Sequence, residues 1–249
     1  MCLRPKLFLM STVIAVVVSS FSCGASETKP SELDTAITQA ASSTPTPSPT
    51  PINPQALLEQ SGDVMEALDS FHFQLEHKSG GTPFLSGLLI TDAEGDVVNP
   101  DKLSAEFGGA FGTVYVKSSL VTLGKDSYMT NPLSGKWESV PTEISPLGFF
   151  NPQRGISAIM SQVTRLSLIS SDKDIYRLKG ELPAEALASL FGVTVKGGSI
   201  SVELTIDADS LYLLEAVLDG RVTAGEPDGT VRVIFLSRFN ETFTIEPPQ

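Results

Sequence analysis

This 249-residue chain has little cysteine, histidine or positive charge: 2 Cys, 2 His, 1 Trp, and 17 Lys plus Arg against 29 Asp plus Glu. Each scarcity excludes a class of function. At a formal charge of −12, with no basic cluster longer than a pair, the chain cannot neutralise the phosphates from which nucleic-acid binding draws most of its affinity, so nucleic acid is excluded as a partner. A thiolate zinc site takes two or more cysteines at fixed spacing. Cys2 lies in a leader segment and Cys23 stands alone after it, so neither a zinc site nor an internal disulfide is expected. His72 and His77 sit five residues apart in an alternating segment and face opposite sides of it, and no Gly-x-Ser-x-Gly elbow occurs to use either as a base. Ser170 and Lys173 give a Ser-x-x-Lys spacing without its companion elements, in what reads as a polar turn. Asp92, Glu94 and Asp96 beside Gly95 lack the glycine position and the twelfth-residue Glu of a calcium loop, and they read as a solvated hairpin turn. Gly80-Gly81 and Gly197-Gly198 read as turns, not phosphate loops. The expectation is a non-enzymatic protein with no catalytic residues, no metal and no cofactor.

Long apolar runs are also missing, with one short exception. Arg4 and Lys6 precede an apolar stretch from Leu7 to Val18 broken by Ser11 and Thr12, and Ser19, Ser20 and Ser22 follow it. A membrane-crossing helix needs about 20 apolar residues, so this stretch reads as a secretory signal. Ser20-Phe21-Ser22-Cys23 resembles a lipobox, with Cys23 as the acylated residue, although Ser20 and Phe21 stand where the usual pattern has Leu and a small residue. The expected organisation is a lipoprotein signal over 1–22, a lipid-anchored tether over 23–52 and a folded module over 53–249. Loss of residues 1–22 removes two positive and no negative charges, leaving the processed chain more acidic than the full one. In the tether, Ser42 to Pro51 alternates proline with small hydroxyl residues, the composition of a polyproline spacer. Its roughly 30 residues reach on the order of 90 Å in full polyproline II geometry at ~3.1 Å each.

The module is rich in apolar residues: 41% of the whole chain is hydrophobic and 18% charged, against about 25% charged in an ordinary domain. Asn53-Pro54 is a helix cap and first turn, and Leu57, Ser61, Val64 and Leu68 follow at helical spacing. From Phe71 the period becomes two, with Phe71, Phe73, Leu75 and His77 on one face. Strands are predicted over 84–98, 102–107, 112–123 and 127–131, then 175–182, 195–206, 211–222 and 230–239, with a short last one at 242–245. Gly108-Gly109 is read as one of the intervening turns. A second helix carries Ile156, Ile159, Met160 and Val163 after an Asn151-Pro152 cap, and a third runs from Pro183 to Phe191 with Leu187. The fold class is α+β: a curved antiparallel half-barrel with a few helices on its concave side enclosing a hydrophobic cavity.

The sheet offers more apolar side chains than one core face needs. Val202, Leu204 and Ile206 make one strand cleanly one-sided, whereas the strands after it carry apolar residues on both faces, so something must cover the second face. An internal cavity is one reading. The other is a non-catalytic surface scaffold or adhesion lipoprotein that docks a protein partner, with a lipid hydrolase behind both.

The segment Asp174 to Phe191, the Lys136-Trp137 pair before Pro141, the turn Ile206 to Ser210, and Leu236 to Asn240 followed by Ile245-Glu246-Pro247-Pro248 together resemble the LppX/LprAFG family of lipid-binding lipoproteins, over roughly residues 56 to 249. The resemblance implies a half-barrel similar to the carriers LolA and LolB, with an acylated lipid or glycolipid as ligand, an acyl anchor (palmitate among its chains) on Cys23, and a place on the outer face of the cell membrane. It leaves any partner transporter unnamed. By position, the stretch 147–163 would cover the cavity, with Phe149 and Phe150 near its mouth. Cavity candidates are Phe71, Phe73, Leu75, Leu88, Ile90, Phe149, Phe150, Ile156, Ile159, Met160, Leu187, Phe191, Val202, Leu204 and Ile206. A lipid with two sixteen-carbon chains holds its membrane by roughly 20 kcal/mol or more, at about 0.8 kcal/mol per buried methylene, so moving it requires a protein of matched apolar area.

Overall fold

Asn53 and Pro54 open the first helix, α1 (Pro54–Glu66), as the sequence predicts. The Asn53 side-chain oxygen accepts from the backbone N–H of Gln55 at 2.9 Å and of Ala56 at 3.3 Å, and the proline sits in the first turn, where no N–H is needed. The structure, a computed structural model, describes residues 51–84, 87–146 and 155–248. Cys23, the leader, most of the tether, Phe149, Phe150 and the Asn151-Pro152 cap lie outside the described residues.

Helix α1 buries Leu57, Leu58, Ser61, Gly62 and Met65. A Cβ on Gly62 would stand 3.3 Å from the Ser157 hydroxyl of α2 (Ile156–Met160), so the bare backbone lets the two helices cross closely. That contact offsets the roughly 1 kcal/mol that glycine costs in a helix. Gly62→Leu is expected to push α1 off α2 and cost about 1–3 kcal/mol, read as a lower urea midpoint at unchanged slope.

The sheet has twelve strands: β1 (Ser70–Ser79), β2 (Thr82–Phe84), β3 (Leu88–Val98), β4 (Lys102–Phe111), β5 (Val114–Leu123), β6 (Asp126–Thr130), β7 (Trp137–Val140), β8 (Thr164–Ser171), β9 (Ile175–Pro183), β10 (Ser199–Asp207), β11 (Leu213–Asp219) and β12 (Val231–Ser237). Its order is β7-β6-β5-β4-β3-β1-β12-β11-β10-β9-β8, with β2 beside β3, and its pairs are antiparallel. Two meanders therefore meet at the non-local pair β1–β12, and the sheet stays curved and unclosed. Its edges, β7 and β8, are consecutive strands in the chain. On the concave side Ile144 and Pro146 after β7, and Ile156, Ile159 and Met160 before β8, face the sheet's apolar residues.

Several sequence expectations change. Gly108 and Gly109 lie inside β4 instead of forming a turn, because any Cβ there would run into the Tyr115 side chain or the Leu89 backbone of neighbouring strands. Asp92, Glu94 and Asp96 lie along β3, not in a hairpin turn: Asp92 accepts from the Tyr115 hydroxyl at 3.0 Å, and Asp96 pairs with His72 at 2.8 Å. Ser170, read with Lys173 as part of a polar turn, belongs to the edge strand β8, while Lys173 lies in the bend after it; neither β7 nor β8 was anticipated. No strand forms at 242–245. Arg238 and Asn240 take left-handed backbone conformations (φ 53° and 57°), and the Asn240 N–H bonds the Ser70 carbonyl at 2.8 Å, turning the chain out of the ladder. The third helix is a 3₁₀ turn (Ala184–Leu187) running into α3 (Ala188–Phe191), which ends at Gly192 (φ 72°).

Candidate functional site

Strand pairing sets which side chains share the concave face. Opposite residues point to the same side, so Phe73 with Leu236, Leu75 with Ile234 and Ala216, and His77 with Arg232 and Leu218 form three successive rows. A bulge between Thr205 and Ile206 brings Leu213 opposite Ile206, so Leu213 joins Ala216 and Leu218 on the inner side, contrary to plain alternation. On the outer face the buried Val233 lies between Glu76 and Val217, its ladder neighbours, so the second apolar face of these strands is not the wall of a cavity.

Two apolar pockets occupy the concave side. The larger, about 140 Å³, is bounded by Phe73, Leu75, Ile90, Phe107, Leu120, Phe191 and Ile234, among others. Phe84 meets Phe107 edge to face, with centroids 5.4 Å apart, closing one wall. The smaller, about 50 Å³, lies between α2 and the strands β9 to β12. Among the described residues Ile234 alone lines both.

Of the candidates, Phe73, Leu75, Ile90 and Phe191 border the larger pocket, and Ile156, Ile159, Met160, Leu187, Val202 and Leu204 border the smaller. Phe71, Leu88 and Ile206 are buried but border neither, and Phe149 and Phe150 lie outside the described residues. Sequence reasoning missed Phe107, Leu120 and Ile234 in the larger pocket. In the next row it placed His77 on this face but missed Arg232.

Behind Thr82 and Phe191, which border the larger pocket, lies a buried ion pair. Arg232, with no exposed side-chain surface, pairs through Nη2 with Glu226 Oε2 at 2.9 Å, and Glu226 is equally enclosed. Glu226 Oε2 also accepts from the backbone N–H of Val222 at 2.6 Å and of Thr223 at 3.2 Å, which folds the loop before β12 around it. Thr82 lies 3.3 Å from Glu226 Oε1 and 3.0 Å from His77 Nε2, while His77 Nδ1 bonds the Thr91 carbonyl at 3.0 Å. The Phe191 ring, which borders the pocket, lies over the Arg232 guanidinium at 4.9 Å. Burial works against the Arg232 charge, and Glu226 sustains it. The one sequence signal was Arg232 standing in the inward phase of Val-Arg-Val-Ile-Phe-Leu.

Burial holds the His77 ring below the usual histidine range, and Arg232 adds to this; the bond to Thr91, Glu226 and Asp92 oppose it. The unfolded chain thus takes up the proton more readily, so this contribution is complete above about 6.5 and is lost as pH falls from there through the lower folded value. The expected result is a urea midpoint that declines as pH falls below about 6.5, and less so in His77→Gln. Glu185 and Asp207 are held below the ordinary carboxylate range, Glu185 by the Gly197 N–H and Asp207 chiefly by Ser210, and they act at lower pH.

An open antiparallel sheet curved around apolar pockets, with α2 packed over the smaller of them, defines a half-barrel with an apolar interior. The family model described as LppX_LprAFG lipoprotein matches residues 53–243, and the chain belongs to that family. The chain is similar in fold to LprF from Mycobacterium bovis, with 22% identity, 78% of this chain and 96% of that one covered, and a TM-score of 0.61. It is likewise similar to the Mycobacterium tuberculosis lipoprotein LppX, with 20% identity, 77% and 97% covered, and a TM-score of 0.53. A comparison with curated proteins found no significant match. Among the described residues no helix is long and apolar enough to cross a membrane, and no group of three metal-ligating side chains occurs.

Proposed function

We propose that the module over 53–249 binds acylated lipids or glycolipids on its concave side, and that the protein carries or presents them across the cell envelope. In this reading it is held to the outer face of the membrane by acyl chains on Cys23 and the tether over 23–52. The observation that carries it is the pair of apolar pockets on the concave side meeting at Ile234. The family's lipoprotein character supports the anchor.

Size constrains the mode of binding. About 140 Å³ is close to the ~150 Å³ that accepts one benzene ring, so the pockets as they stand take a short stretch of chain and must widen for a whole one. Widening falls to α2, α3 and the 141–146 stretch, which pack on the sheet without ladder hydrogen bonds to it, while the strands keep their register.

The test is mass spectrometry of lipids extracted from the full chain carrying Cys23→Ser, which has no acyl chain of its own. An acylated lipid in near-stoichiometric amount is expected; protein purified empty from lipid-rich cells, and staying empty with added lipid, overturns the proposal.

A further inference from the structure

Two of Arg232's donors, Nε and Nη1, are buried and have no hydrogen-bond partner among the described residues, although Nη2 reaches Glu226 and, at 3.5 Å, the Gly220 carbonyl. Leaving donors of a charged group unmet carries the full desolvation cost of those donors, and native structures rarely tolerate it without a use. These donors belong to a residue one row beyond Ile234 on the concave face. Phe191 touches both the guanidinium and the larger pocket, and Thr82 touches both the pocket and the Glu226 carboxylate. The apolar trough therefore ends against a polar wall that is short of acceptors.

We propose that this end of the pocket is a recognition site for a neutral acceptor oxygen on the lipid, an ester carbonyl above all, which takes a hydrogen bond from Arg232 once Phe191 has moved aside. This rests on the lipid-binding reading and adds to it the direction in which the ligand lies: oxygen toward β12 and the 220–230 loop, hydrocarbon along Leu75, Ile234 and Phe73. Charge selects the neutral oxygen. Arg232 and Glu226 already cancel, so a carboxylate would bring an uncompensated negative charge into a buried site, whereas a carbonyl meets the free donors and adds none.

The test compares methyl palmitate, hexadecane and ionised palmitate at pH 8 as ligands for the full chain carrying Cys23→Ser. A hydrogen bond to a charged donor predicts that the ester binds roughly tenfold to a hundredfold more tightly than the hydrocarbon. It predicts that the preference collapses in the double variant Arg232→Met, Glu226→Gln, which removes the pair without stranding a charge. Should the double variant not fold, Arg232→Lys, with a shorter reach and no donor at Nε, must still reduce the preference several-fold. Equal binding of ester and hydrocarbon overturns the inference and leaves lipid binding standing. Preference for palmitate over the ester also overturns it, in favour of an anion site. Binding of none of the three removes the lipid-binding reading and the inference with it.

Discussion

Ile234→Ala is expected to join the two pockets, shift binding toward longer acyl chains and cost about 2–4 kcal/mol of stability. Ile234 is 8% exposed and stands between the spaces of about 140 and 50 Å³, with Leu75 and Ala216 opposite it on β1 and β11. Truncating a buried isoleucine loses its transfer free energy and leaves a cavity, typically 2–5 kcal/mol in all. Because the side chain already borders empty space on two sides, it has fewer contacts to lose, and the cost falls in the lower part of that range. A ligand that fills the new space returns part of it at about 0.8 kcal/mol per methylene. The measurement is a chain-length series of acyl esters against both proteins, with urea unfolding in parallel. Destabilisation with an unchanged chain-length optimum would mean that the pockets do not form one track. Ile234→Phe, filling the divide, should shorten the optimum.

Glu226→Leu is expected to destabilise the fold by more than Arg232→Met, although the two changes break the same ion pair. Removing either partner leaves the other as an uncompensated buried charge, which costs on the order of 3–5 kcal/mol. Arg232→Met leaves a carboxylate that still accepts from Val222 and Thr223 and lies near Thr82. Glu226→Leu leaves a guanidinium whose remaining acceptor among the described residues is the Gly220 carbonyl, and it also strips two backbone donors of the loop before β12. The loss therefore sits at the upper end for Glu226→Leu and near the lower end for Arg232→Met. Replacing both residues is expected to cost less than the sum, and a double-mutant cycle by urea unfolding measures the difference. Equal single losses would show that the loop hydrogen bonds contribute nothing.

Much of the local structure was legible along the chain. The Asn53 cap, the alternation of Phe71, Phe73 and Leu75, and the one-sided run Val202, Leu204, Ile206 each declare themselves within a few residues, because helix and strand periods are properties of the local backbone. The site was legible in part for the same reason: Phe73, Leu75 and Leu204 are inward by simple alternation. Leu213 was not, because a bulge against β10 reversed its phase. Gly108 and Gly109 looked like a turn because the crowding by Tyr115 and Leu89 that requires glycine comes from other strands.

By itself the sequence determined the acidic charge, the near absence of cysteine, the order of most helices and strands, and the alternation within those strands that run without a bulge. Only tertiary structure decided that β1 pairs with β12 across more than half the chain, that α2 covers the smaller pocket, and that Arg232 meets Glu226 beside Phe191. Periodicity is set by a few consecutive dihedral angles, whereas these outcomes depend on which distant segments find one another. That choice is made by the free energy of the assembled sheet and not by any stretch within it.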